Sequence, residues 1–196
     1  MDSMYKFYCM SKMLFDKGTS YMVDEEIEDY KKTIRVFGPN KGAMGSLYDL
    51  TYKSTPIIDN ILLGNAYNAR NYYELEEDNI GLIINCSRNI PDYFSDSFEY
   101  HRVSVKDKNG ENILPYLNKA VDQIKNYLDS NPDKKVLVHC FMGSSRSATV
   151  VLAYLMKYKQ YRRRDALNFL KQRRDIVNIN IDFFRQLKDY ENFLLK

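Results

Sequence analysis

Thiols and imidazoles are scarce in this 196-residue chain, and that scarcity removes whole classes of function. Three cysteines (Cys9, Cys86 and Cys140) are an odd number with no CxxC spacing. Neither a disulfide framework nor a thiolate zinc site is expected of them. Two histidines, His101 and His139, are a poor basis for metal catalysis, so no metal and no other cofactor is expected. Long apolar runs are missing too. The longest, Val150–Met156, has seven residues, against about 20 for a membrane-spanning helix. The opening MDSMYKFYCM has no apolar signal core, Asp2 excludes N-myristoylation, and the closing FLLK is no prenylation box. An intracellular soluble protein of cytoplasm or nucleus is the expectation.

What is present is enough for one globular domain: 44% of residues are hydrophobic and 28% charged. The net charge of +3 is unevenly spread. Residues 157–175 carry eight basic side chains against Asp165 and Asp175. Such a run is either a solvated helix face or a rim that attracts anions.

From about residue 56 strand-like and helix-like patterns alternate. Ile57–Leu63 is β-branched and apolar and stops at Gly64; Ala66–Leu75 reads as a short helix. GLIINC (81–86), residues 100–105 and KVLVH (135–139) read as strands, the first and last apolar enough to be buried on both faces. Leu117, Ala120, Val121, Ile124 and Leu128 recur at helical spacing up to the breaker SNPD, and further helices are predicted over 147–158, 164–174 and 182–195. The implied fold is α/β, a central and mostly parallel sheet flanked by helices. Residues 1–55 read as a Tyr- and Met-rich extension. Its one clear helix spans about 23–37, with Val23, Ile27, Tyr30, Ile34 and Phe37 on one stripe. That stripe either packs on the α/β core or meets a partner.

The chemistry concentrates in VHCFMGSSRSATVV, residues 138–151. A buried strand, a sharp turn and a helix aim the turn's backbone N–H groups inward, a nest suited to a tetrahedral anion. The turn is Phe141, Met142, Gly143, Ser144 and Ser145; Gly143 supplies conformational freedom, and small side chains allow close approach. Arg146 adds a planar fork for two phosphate oxygens. Cys140 stands at the floor of this electropositive cup, where a thiol gives up its proton readily. A thiolate ringed by phosphate-binding donors is a nucleophile aimed at phosphorus.

HCFMGSSRS fits His-Cys-x5-Arg-Ser and resembles the cysteine-dependent protein tyrosine phosphatases, in their dual-specificity branch. The likeness runs over about residues 55–195, through ILLGNAYNAR, GLIINCSRNIPDYF, YHRVSVKDKNGENILPYL and RRDIVNINIDFFRQLKDYE. Ile179 stands where many members carry proline. The resemblance implies a catalytic domain over 56–196 that hydrolyses phosphotyrosine and phosphoserine/threonine in proteins through a phosphocysteine. It implies protein substrates, with protein kinases among candidate partners and no nucleic acid. A phosphoinositide or RNA 5′ phosphate as substrate, or a phosphoprotein-binding module without catalysis, are the alternatives.

Roles follow the resemblance residue by residue. Asp107, 33 positions before Cys140, is the expected general acid, with Asp92 as rival. Ser147 is placed to hydrogen-bond the sulfur as the phosphoryl group leaves, or is an ordinary helix-start serine. His139 is expected to orient the loop through hydrogen bonds, or is a core histidine. Asn180 is expected to brace the loops around the site. Some relatives hold a second cysteine that bridges the nucleophile after oxidation, and Cys86 is the candidate here; a plain buried cysteine is the alternative.

Overall fold

The computed structural model describes residues 53–196, so the helix expected over 23–37 lies outside the described residues. Five strands form one sheet: β1 (Thr55–Ile58), β2 (Ile61–Gly64), β3 (Ile80–Asn85), β4 (Glu99–Arg102) and β5 (Lys135–His139). Their order is β1-β2-β5-β3-β4, with β2, β5, β3 and β4 parallel and β1 antiparallel at the edge. Helices α1 (Ala66–Arg70), α2 (Tyr72–Glu77), α3 (Leu114–Ser130), α4 (Arg146–Tyr158), α5 (Arg163–Arg173) and α6 (Ile181–Leu194) cover both faces.

The strands' alternation sorts their side chains into two layers. Ile61, Leu63, Leu82, Ile84, Val136 and Val138 enter the larger core under α3, α4 and α6. Leu62, Ile83 and Leu137 point the other way, against Ala69, Leu75 and Phe98. Burial on both faces explains why these strands read as unbroken apolar runs. Helix α4 is buried from Arg146 to Met156 with no polar face to water, the pattern of a central helix.

Register then places the site. Gly64, His139 and Asn85 lie side by side at the carboxyl ends of β2, β5 and β3. Strand β5, late in the chain, is inserted between β2 and β3, and its carboxyl end lies at the edge of the sheet where α/β folds form ligand crevices.

Two expected elements are split. Ile57–Leu63 is not one strand but a hairpin, turned at Asp59, whose φ of 48° is left-handed. Asn60 anchors the turn by donating to the Pro132 carbonyl at 2.8 Å. The predicted helix 66–75 is two, because the Asn71 backbone is extended. Asn71 ends α1 and its side chain caps α2 at the Glu74 N–H, while Asn65 and Asn68 cap α1 reciprocally.

Candidate active site

The turn between β5 and α4 is shaped from outside. The Phe141 carbonyl accepts from the Ala66 N–H at 3.1 Å, and the Ser144 carbonyl from the Asn178 N–H at 3.0 Å. The Gly143 carbonyl accepts from Arg174 Nε at 3.0 Å, with Nη2 of the same guanidinium 3.5 Å from the Met142 carbonyl. The Ser145 carbonyl accepts from the Thr149 N–H and hydroxyl, both at 2.8 Å. In a planar trans peptide the N–H points opposite to its carbonyl. Five outward carbonyls therefore turn the amides of Met142, Gly143, Ser144, Ser145 and Arg146 inward. Gly143, at φ 70°, takes the left-handed corner, and a Cβ there would lie 2.4 Å from the Gly64 carbonyl oxygen.

Inside this ring lies Cys140, 1% exposed. Its Sγ accepts from the Gly143 N–H and from the Ser147 hydroxyl, each at 3.2 Å. Arg146 is buried at the start of α4, its Nε 3.5 Å from Asp107 Oδ2. The Asp107 carboxylate also accepts from the Ser145 hydroxyl at 2.8 Å, with Asn180 Nδ2 at 3.5 Å. Thiol, guanidinium, hydroxyl and carboxylate are thus gathered in one place, around the end of β5, the start of α4 and the loop after β4.

Helix α6 holds that loop in position. The Gly110 N–H donates to Asp182 at 2.9 Å, and Gln186 accepts from the Ile113 N–H at 2.8 Å while donating to the Glu111 carbonyl at 2.8 Å. Asn180 caps α6 by accepting from the Asp182 N–H, and its own N–H donates to the Ser145 hydroxyl at 3.1 Å.

Other expected residues land differently. Asp92, the rival acid, is committed elsewhere: it pairs with Arg102 at 2.7 Å and accepts from Asn85 at 2.8 Å. His139 is fully buried; among the described residues neither ring nitrogen has a partner of normal hydrogen-bond geometry, although the ring interacts with the Cys140 backbone, which opposes the effect of burial. Burial pushes its pKa down to about 4, so the ring is neutral around pH 7. Cys86 and Cys140 are both free thiols. The Cys86 N–H donates to the His139 carbonyl at 2.7 Å, which sets the two cysteines at neighbouring strand ends. Burial first, then the nearby Cys140, pushes the Cys86 thiol well up, with Arg146 opposing.

Arg174 is the site residue that the sequence reading left in the basic run. Its signal was there: Arg174 continues the buried face of α5 at the four-residue spacing of Ala166 and Leu170. Asn85 and Arg102 were missed as well; both donate to the Ile90 carbonyl and so fix the loop after β3. Among the described residues no three His, Cys, Asp or Glu gather where they could hold a metal ion.

Residues 61–193 match the family model described as the dual specificity phosphatase catalytic domain. Protein phosphatase Slingshot homolog 1 of mouse and of human is 38% identical over 142 residues, 72% of this chain and 13% of that protein. Human dual specificity protein phosphatase 1 is 36% identical over 153 residues, covering 72% of this chain and 41% of that one. The chain thus spans well under half the length of these curated relatives. Among solved structures, human tyrosine phosphatase-like serine/threonine/tyrosine-interacting protein superposes with a TM-score of 0.69 at 30% identity, over 74% of this chain and 99% of that one. Human DUSP28 gives 0.69 at 27% identity, over 73% and 95%. Family model, sequence identity and superposition agree, and the chain belongs to the dual-specificity phosphatase catalytic-domain family.

Proposed function

We propose that this chain hydrolyses phosphotyrosine and phosphoserine/threonine in proteins, through a phosphocysteine formed on Cys140. In the first step Sγ attacks phosphorus, the bond to the ester oxygen breaks, and Asp107 gives that oxygen its proton. In the second, Asp107 takes a proton from water as the water attacks phosphorus and the sulfur departs as thiolate. The Ser147 hydroxyl steadies that thiolate, while Arg146 and the amides of the loop hold the three non-bridging oxygens throughout. The observation that carries this reading is the set of outward carbonyls, which leaves the inward amides as donors around the sulfur.

The loop's own side chains, two apolar and two hydroxyl, bring no lysine toward a second phosphate, which favours a protein substrate over a phosphoinositide. Five of the eight cations of the basic run are engaged within the fold, which argues the same way. Lys157 pairs with Asp122, Lys159 with Asp59, Arg163 and Arg173 lie over aromatic rings, and Arg174 is buried. The test compares release of phosphate from phosphopeptides, a phosphoinositide and a 5′-triphosphate RNA. Phosphopeptides should lead, and Cys140→Ser should abolish turnover. Faster release from either of the others, no release at all, or release that survives Cys140→Ser would sink the proposal. Trapping with Asp107→Ala in lysate would then name the substrate, protein kinases among the candidates.

Cys86 takes a protective role in this reading. Peroxide oxidises Cys140 to the sulfenic acid; the Cys86 sulfur attacks it, a disulfide forms and water leaves. The reducing environment of cytoplasm or nucleus then restores both thiols. Peroxide inactivation should be reversed by dithiothreitol in the parent chain and largely irreversible in Cys86→Ser. Equal recovery in both would remove Cys86 from the account.

A further inference from the structure

Arg174 is the largest fully buried side chain among the described residues, yet it lies beyond the end of α5, 34 positions after Cys140. A guanidinium taken wholly out of water is costly unless its hydrogen bonds are met. Here three acceptors on two segments of the chain meet them. Nε donates to the Gly143 carbonyl at 3.0 Å, Nη1 to the Thr55 hydroxyl at 2.8 Å, and Nη2 faces the Met142 carbonyl at 3.5 Å. None of these acceptors is a carboxylate.

We propose that Arg174 is a positioning residue for the phosphatase chemistry: by holding two loop carbonyls outward it aims the Gly143 and Ser144 amides at the nucleophile and its phosphoryl group. The inference rests on the phosphatase reading above. Peptide planarity supplies the mechanism. The Met142 carbonyl shares its plane with the Gly143 N–H, which is the amide that donates to Cys140 Sγ at 3.2 Å. The Gly143 carbonyl shares its plane with the Ser144 N–H, the next donor around the ring.

Two further observations agree. A Cβ on Gly143 would lie 2.9 Å from Arg174 Nη2, so the loop and the guanidinium are packed against each other with no spare room. The charge also acts directly: burial lowers the Arg174 pKa to about 10, and Cys140 and Asp175 oppose that drop. Arg174 therefore stays cationic around pH 7, behind the loop and within electrostatic reach of the sulfur. Thr55 is the third anchor. It fixes the guanidinium to the edge strand β1, so the loop is tied to the sheet margin by one side chain.

Arg174→Lys keeps the charge but not the fork that reaches Gly143, Met142 and Thr55 together. It should lower kcat/KM for an aryl phosphate by about 10- to 100-fold, the range for losing a group that orients catalytic ligands. Inorganic phosphate should also become a weaker competitive inhibitor. A readout independent of turnover is the iodoacetate alkylation of Cys140, followed by peptide mass spectrometry. Its rate at pH 6 relative to pH 9 should fall severalfold in Arg174→Lys and more in Arg174→Met, because the amide facing the thiolate is no longer held. Thr55→Val, which removes one anchor only, should shift the same ratio less and in the same direction, and it covers the case in which Arg174→Met does not fold. An unchanged alkylation ratio in a folded Arg174→Lys, with kcat/KM within twofold of the parent, would overturn the proposal. A parent that alkylates with the expected pH dependence but releases no phosphate would instead overturn the phosphatase reading and leave the role of Arg174 in aiming the amides standing.

Discussion

Ser145 joins three parts of the site with one hydroxyl. It donates to Asp107 at 2.8 Å and accepts from the Asn180 N–H at 3.1 Å, while its carbonyl starts the hydrogen-bonding of α4. Ser145→Ala leaves the Asn180 amide short of an acceptor and the Asp107 carboxylate, the proposed acid, short of a donor. We expect a stability loss of about 1–3 kcal/mol, the cost of stranding a buried polar group. A phosphoserine peptide, whose leaving oxygen needs a proton, should lose on the order of tenfold or more in kcat. An aryl phosphate with a good leaving group should lose much less. Equal losses on both substrates would show that Ser145 supports the loop without reference to the acid. At this scale the sequence was most readable for Cys140 and Arg146, whose spacing is local. Arg174 was obscured because its partners lie 31 and 119 positions away in the chain.

Two left-handed glycines, Gly143 in the loop and Gly110 after Asp107, give a controlled comparison. Their φ values are 70° and 79°, but a Cβ at Gly110 meets nothing within 4 Å, whereas one at Gly143 meets the Gly64 carbonyl at 2.4 Å. Gly110→Ala should cost about 1 kcal/mol, the strain of the backbone conformation alone. Gly143→Ala should cost more than that in urea unfolding and should abolish inhibition by inorganic phosphate. Similar costs for both would mean that the loop yields to the extra methyl. Elements were legible where periodicity runs long, as in α3, α4 and α6. They were misread where one polar residue changes the backbone path: Asp59 turns an apolar run into a hairpin, and Asn71 divides a helix. Neither interrupts the hydrophobic pattern that the reading followed.

For the molecule as a whole, the mostly parallel sheet was legible because β3 and β5 are apolar on both faces; the order of the strands was not, since it depends on which helix crosses which face. His139, at the centre of that sheet, links the fold to pH. Its pKa is about 4 when folded and 6.5 for an imidazole free in water, so the unfolded chain binds the extra proton. Stability from this group is complete above pH 6.5 and is lost as pH falls toward 4, by about 3 kcal/mol across the window. Urea unfolding at stepped pH should show that slope in the parent chain and a flatter one in His139→Gln. Identical slopes would assign the acid sensitivity to other groups.

The five outward carbonyls carry one more implication. Their partners come from α1, from the end of α5, from the stretch before α6 and from α4 itself, so the nine residues 139–147 do not own their shape. Transplanted into another strand–turn–helix, the same letters would lack the outside grips and should neither capture phosphate nor release it. The signature is short, but what it abbreviates is most of the domain.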